Sequence, residues 1–219
     1  MHSGRIVMRP LLVATAISMI AAGSVANAAD CDYRKNEIDL FTKEKLVTTD
    51  SVDMTSWISA SFNQFIGNRH EMAVRAIGVG EQNFISVGVK LSDTTQYAPD
   101  EEDLYDALFI AKGSSLAITL ADQSIVTLPA IQDVRGTTRA IYDAGVYVVS
   151  TKFNLSYRLD VEAADALAGQ DAVHIRMAAQ GGRYEFVSDA GSIDFNVNKT
   201  GSGALGKVVS CLRQAQEAT

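Results

Sequence analysis

Residues 84–91, FISVGVKL, decide the fold. Ile85, Val87, Val89 and Leu91 fall on one side of an extended chain, while Phe84, Ser86, Gly88 and Lys90 fall on the other. A period of two with branched apolar residues is the mark of a strand with one buried face. Upstream, Met72, Val74, Ala76 and Ile77 lead into the turn signal Gly80-Glu81-Gln82, so a hairpin is predicted. Downstream, comparable runs recur at 107–111, 116–120, 125–128, 145–160, 174–178, 184–188 and 193–197. Gly113-Ser114, Asp122-Gln123 and Gly181-Gly182 punctuate them. Many short strands at such spacing specify a mainly β fold, and we expect an antiparallel β-sandwich-like single domain.

Two segments depart from this rhythm. Residues 161–168 follow Asp160, a good N-cap, carry Glu162 in the first turn and run into Gly169, so a short helix is predicted. Over 204–215, Leu205, Val208, Val209 and Leu212 recur at i, i+3, i+4 and i+7, which gives a second, amphipathic helix. Residues 54–66 fit both periods: Met54, Trp57, Ile58, Phe62, Phe65 and Ile66 have helical spacing, and Ile58, Ala60 and Phe62 alternate. The density of Ser and Asn weakens the helix and favours a strand. The aromatics around Trp57 read as core rather than as the lining of a cleft.

The first 28 residues read as a cleaved signal peptide. Arg5 and Arg9 precede the apolar run 11–22, and Ala26-Asn27-Ala28 is a small-x-small cleavage signal. An uncleaved anchor would need an apolar core of about 20 residues, longer than this one. Asp30, immediately before Cys31, does not suit a lipid-attachment site. Residues 29–219 then form a single β-rich domain. Loss of Arg5 and Arg9 takes the net charge from −7 to −9, which disfavours nucleic acid as a partner. No later apolar run is long enough to cross a membrane, so no integral membrane segment is expected after processing. The predicted location is periplasmic or extracellular. In such an oxidising compartment the only two cysteines, Cys31 and Cys211, are expected to form a disulfide that closes the domain.

Residues 201–207, GSGALGK, satisfy both GxGxxG and GxxxxGK. Val208, however, stands where a phosphate loop needs Ser or Thr, and the sequence has no second strand after the helix to complete a βαβ unit. A flexible lead into the last helix is the expectation. His70-Glu71 begins like HExxH, but Val74 replaces the second histidine and excludes that zinc site; His70 is expected as a solvated turn residue, His174 as a core or sheet-face histidine. No GxSxG or SxxK frame supplies a nucleophile. The acidic run Asp100-Glu101-Glu102-Asp103, with Asp106 nearby, offers oxygen ligands for Ca²⁺ at Asp100, Glu101 and Asp103; no other cofactor is suggested. Asn154-Leu155-Ser156 and Asn198-Lys199-Thr200 are glycosylation acceptors only on a eukaryotic secretory route.

The sequence-level expectation is therefore an exported, non-enzymatic binding or envelope-associated protein whose partner is an envelope protein, a glycan or a small ligand. Two alternatives stand beside it. One is a hydrolase with a dispersed site using His174 or His70. The other is a structural or assembly role through a sheet edge.

Overall fold

The structure, a computed structural model, describes residues 31–58, 69–100, 108–181 and 191–218, with backbone only at 56–58 and 69. The 84–91 alternation lies inside a strand almost twice its length, β5 (Gln82–Thr95). It is flanked in antiparallel register by β4 (Arg69–Val79) and β11 (Val146–Leu159). With β1 (Tyr33–Ile38), β2 (Lys45–Thr49), β3 (Val52–Ile58) and β10 (Thr137–Asp143) these form a seven-stranded sheet. Its order is β1-β2-β4-β5-β11-β10, and β3 also pairs with β4. A second, four-stranded sheet has the order β13-β12-β7-β8. Its strands are β7 (Ser115–Leu120), β8 (Ile125–Pro129), β12 (Ala172–Ala178) and β13 (Ser192–Asn196). The short pair β6 (Phe109–Ile110) and β9 (Val134–Arg135) completes the strands of the described residues.

The pleat explains the core. Met72, Val74 and Ala76 of β4, Ile85, Val87, Val89 and Leu91 of β5, and Phe153, Leu155, Tyr157 and Leu159 of β11 are all buried. They share one hydrophobic cluster with Leu116, Ile118, Leu128, Ile175, Met177, Ile193 and Phe195 of the smaller sheet. Each such aliphatic side chain contributes about 1.5–3 kcal/mol by burial. The fold is thus mainly β, antiparallel and sandwich-like. Both expected helices are present. In α1 (Val161–Gly169) the Asp160 carboxylate accepts from the Ala163 amide at 2.8 Å, so the predicted N-cap is made. The second helix, α2 (Ala204–Glu217), buries Leu205, Val208, Val209 and Leu212 against the same cluster and packs on β2, β4 and α1.

The expected disulfide joins Cys31 to Cys211, with a Cα–Cα distance of 5.5 Å. The Tyr33 hydroxyl, two residues on, donates to the Cys211 carbonyl at 2.9 Å. No helix among the described residues is long and apolar enough to cross a membrane.

Some elements differ from the sequence reading. β11 (146–159) matches the long run expected at 145–160, whereas β5 extends to 14 residues because it continues past the core, where Ser92 and Ser150 of β11 satisfy each other at 3.0 Å. The run 107–111 shrinks to the two residues of β6. Strands β1, β2 and β10 were not foreseen: β1 is exposed on nearly every residue, and the half-buried positions of β10 are Thr138 and Ala140, so neither shows an apolar alternation in the sequence. Of 54–66, residues to Ile58 are strand, as favoured, and 59–66 lie outside the described residues, as do the expected signal peptide 1–28 and the expected strand 184–188.

Candidate functional site

The two histidines are brought to one residue, Asp194, from opposite sides. His174 projects from the outer face of β12, with Nε2 3.2 Å from the Asp194 carboxylate. Arg176, also on that face, holds the same carboxylate oxygen at 2.8 Å. His70 belongs to the inner face of β4, its ring 5.9 Å from that of Phe195, and bonds to the main chain of Asp194. It is therefore a largely buried strand residue rather than a solvated turn residue: the register His70↔Leu91 turns it inward. Burial pushes its pKa below the ordinary 6.5, with Asp194 and Asp93 opposing the shift. The cavity here is about 130 Å³, lined by Thr55, His70, Asp194, Phe195 and Asn196. The Thr55 hydroxyl is already committed to the main chain of His70 and Met72. A His–Asp pair needs a hydroxyl or thiol at its far side to perform acyl transfer. Among the described residues no hydroxyl or thiol is hydrogen-bonded to His174.

The glycine motif is explained by packing. A side chain at Gly201 would overlap the Met54 backbone, with its Cβ 2.5 Å from Met54 Cα. At Gly206 it would lie 3.2 Å from the Leu167 carbonyl, where α2 crosses α1. The Gly201 amide is taken by the Asn198 side chain at 2.6 Å. These glycines let backbone meet backbone, and Gly201's N–H is not free to hold phosphate. Asp100 is described, whereas Glu101, Asp103 and Asp106 lie outside the described residues. Among the described residues no group of three His, Cys, Asp or Glu side chains is placed to hold a metal ion.

A larger feature was not anticipated. On the outer face of the seven-stranded sheet lies a groove of about 760 Å³. The register builds it in three cross-strand rows over β4, β5 and β11: Glu71–Lys90–Lys152, Ala73–Gly88–Asn154, and the shorter row Arg75–Ser86. The middle row forms the floor. It is low because Ala73 and Gly88 carry almost no side chain, and a Cβ at Gly88 would sit 3.0 Å from Asn154 Oδ1. Ser51, Asp53 and Thr55 of the β3 region and Asn198 and Thr200 of the loop between β13 and α2 make one wall.

The groove carries more cationic than anionic side chains. Arg34, Arg75, Lys90 and Lys152 line it against Asp53 and Glu71, in a chain whose net charge is −7. Lys90 is paired to Glu71 at 3.3 Å and Arg34 to Asp50 at 3.2 Å. Arg75 rests on the Ser86 hydroxyl at 3.4 Å. Lys152 stands directly opposite Lys90 and has no ion-pair partner among the described residues. Like charges facing each other across a ladder are destabilising. The glycosylation-type residues Asn154 and Asn198 both line this groove. The available signal in the sequence was Gly88, since glycine within a strand marks a close approach or a shallow surface.

No family model, no curated protein and no solved structure matches the chain. The class is therefore set by its own architecture: among the described residues, an antiparallel β protein built on a seven-stranded and a four-stranded sheet, with two helices and the long-range disulfide Cys31–Cys211.

Proposed function

We propose that this is an exported, non-enzymatic binding protein of the periplasm or extracellular space that holds a small polar anion in the outer-face groove. The observation that carries this reading is Lys152, which has no ion-pair partner among the described residues and is opposed to Lys90 at the rim of a cavity whose floor is made of Ala73 and Gly88. A carboxylate or phosphate lying over the floor would bridge Lys90, Lys152 and Arg75, relieve their repulsion, and take hydrogen bonds from Asn154 and Ser86. Such charge-assisted bonds are roughly twice as strong as neutral ones. The mixture of hydroxyls and amides around them suits a polyhydroxy acid, such as a uronate-bearing glycan. The disulfide and the signal-peptide pattern of residues 1–28 support the export half of the reading.

The test is a melting series of the mature protein with phosphate, citrate or trigalacturonate, set against neutral cellotriose. An anion that binds only the folded state raises Tm in proportion to the logarithm of its concentration. Lys152→Glu should abolish that rise while leaving the ligand-free protein as stable or slightly more so, because it replaces a Lys–Lys opposition by an attractive pair worth about 0.2–1 kcal/mol. An equal shift with cellotriose, or an anion response that survives Lys152→Glu, would overturn the proposal.

A further inference from the structure

The two outer edges of the seven-stranded sheet are unlike. β1 carries Arg34, Lys35 and Glu37 among its six residues, the charge pattern that keeps an edge from pairing with another chain. β10, sequence TTRAIYD, has only Arg139 and Asp143, and exposes Ile141 at 66% and Tyr142 at 63%. Neither Arg139 nor Asp143 has an ion-pair partner among the described residues.

The direction of the free backbone groups follows from the turn. Ala144 and Gly145 have φ of 47° and 90°, the two positive values of a type I′ hairpin. In such a hairpin the closing pair, here Asp143 and Val146, exchanges both main-chain bonds. Alternation then turns Arg139 and Ile141 toward β11, while the N–H and C=O of Thr138, Ala140 and Tyr142 point away from the sheet.

We propose that β10 is the seam of a twofold-symmetric dimer in which it pairs antiparallel with β10 of a second copy, the axis passing through Ile141. Ala140 and Tyr142 of each copy then exchange main-chain bonds with Tyr142 and Ala140 of the other. Ile141 faces Ile141, and Arg139 faces Asp143 twice over on the same side of the sheet. Moving the axis to Ala140 would set Arg139 against Ile141 and leave both charges without an opposite. The charge pattern of the strand therefore selects its own reverse copy in one register. The seam is short, so the dimer belongs to the weak, reversible class of interfaces.

Sedimentation of the mature, disulfide-bonded protein from about 1 µM to about 500 µM covers the range in which so small an interface dissociates. A monomer–dimer equilibrium is expected. Arg139→Asp creates two like-charge pairs and should weaken dimerisation at least about tenfold, while the double swap Arg139→Asp with Asp143→Arg restores opposite pairs and should return it to within about threefold. Ala140→Pro removes an outward N–H at an edge position that tolerates proline, and should leave a monomer with unchanged Tm. A wild type that is monomeric throughout, an Arg139→Asp dimer of unchanged affinity, or a double swap that does not recover would each overturn the proposal. The charge series decides the matter even where Ala140→Pro disturbs the fold.

Discussion

Replacing both Cys31 and Cys211 by alanine tests how the terminal bond acts. The link closes an interval of 180 residues. The chain-entropy relation assigns a loop of that length about 5 kcal/mol at 25 °C, by narrowing the unfolded ensemble. What the bond anchors in the folded state is slight by comparison. β1 is exposed at five of its six positions, and beside the bond itself the Tyr33 hydrogen bond to Cys211 joins it to α2. A purely local role would therefore be worth about 1 kcal/mol, the size of that hydrogen bond. For a domain of this size each kcal/mol moves Tm by about 2–4 °C, so the entropic account expects a fall of about 10–20 °C. Thermal melts of the wild type and the double variant, both without reductant, read this directly. Urea titration adds a second test, because an unlinked denatured chain exposes more surface and should raise the m-value. A drop below about 4 °C with an unchanged m-value would refute the unfolded-state explanation and leave only the local clasp.

Three further outcomes follow from the packing and the charges. The Tyr157 hydroxyl is fully buried with no hydrogen-bond partner among the described residues, and burial pushes its pKa upward; Tyr157→Phe should stabilise the protein by about 1 kcal/mol in urea titration. Gly201→Ala forces a methyl group into the Met54 backbone and should cost about 3 kcal/mol, seen as a lower Tm with the disulfide intact. The pKa of His70 is lowered by burial, so the unfolded chain binds its proton first: its contribution to stability is complete above about pH 6.5 and declines as the pH falls below that value. His70→Asn should flatten this acid limb of the Tm–pH curve, and an unchanged limb would assign it to other groups.

Where a residue's role was set by its own immediate neighbours, the sequence showed it. Ile85, Val87, Val89 and Leu91 alternate because β5 has one dry face, and Asp160 caps α1 because its carboxylate reaches an amide three residues away. The cysteines were paired by elimination, since two permit a single internal bond. Sites made by register were hidden. Glu71, Lys90 and Lys152 are far apart in the chain and form one row only when β4, β5 and β11 align. His70 turned inward for the same reason, its environment being written in Leu91 and Phe195 rather than in Arg69 or Glu71. β1 escaped notice because an edge strand exposed at nearly every position needs no apolar period, and β10 because its half-buried face carries only Thr138 and Ala140 while Ile141 is exposed.

The position of α2 has a consequence for the order in which the molecule can be made. Every strand of both sheets precedes it, yet Leu205, Val208, Val209 and Leu212 belong to the common core. A chain synthesised only as far as β13 has its apolar interior open on the side that α2 covers, and Cys31 still lacks its mate. Most of the contacts also join distant parts of the sequence, which makes folding slow on its own. Complete folding is thus discouraged until α2 has emerged, a delay that follows from the topology alone.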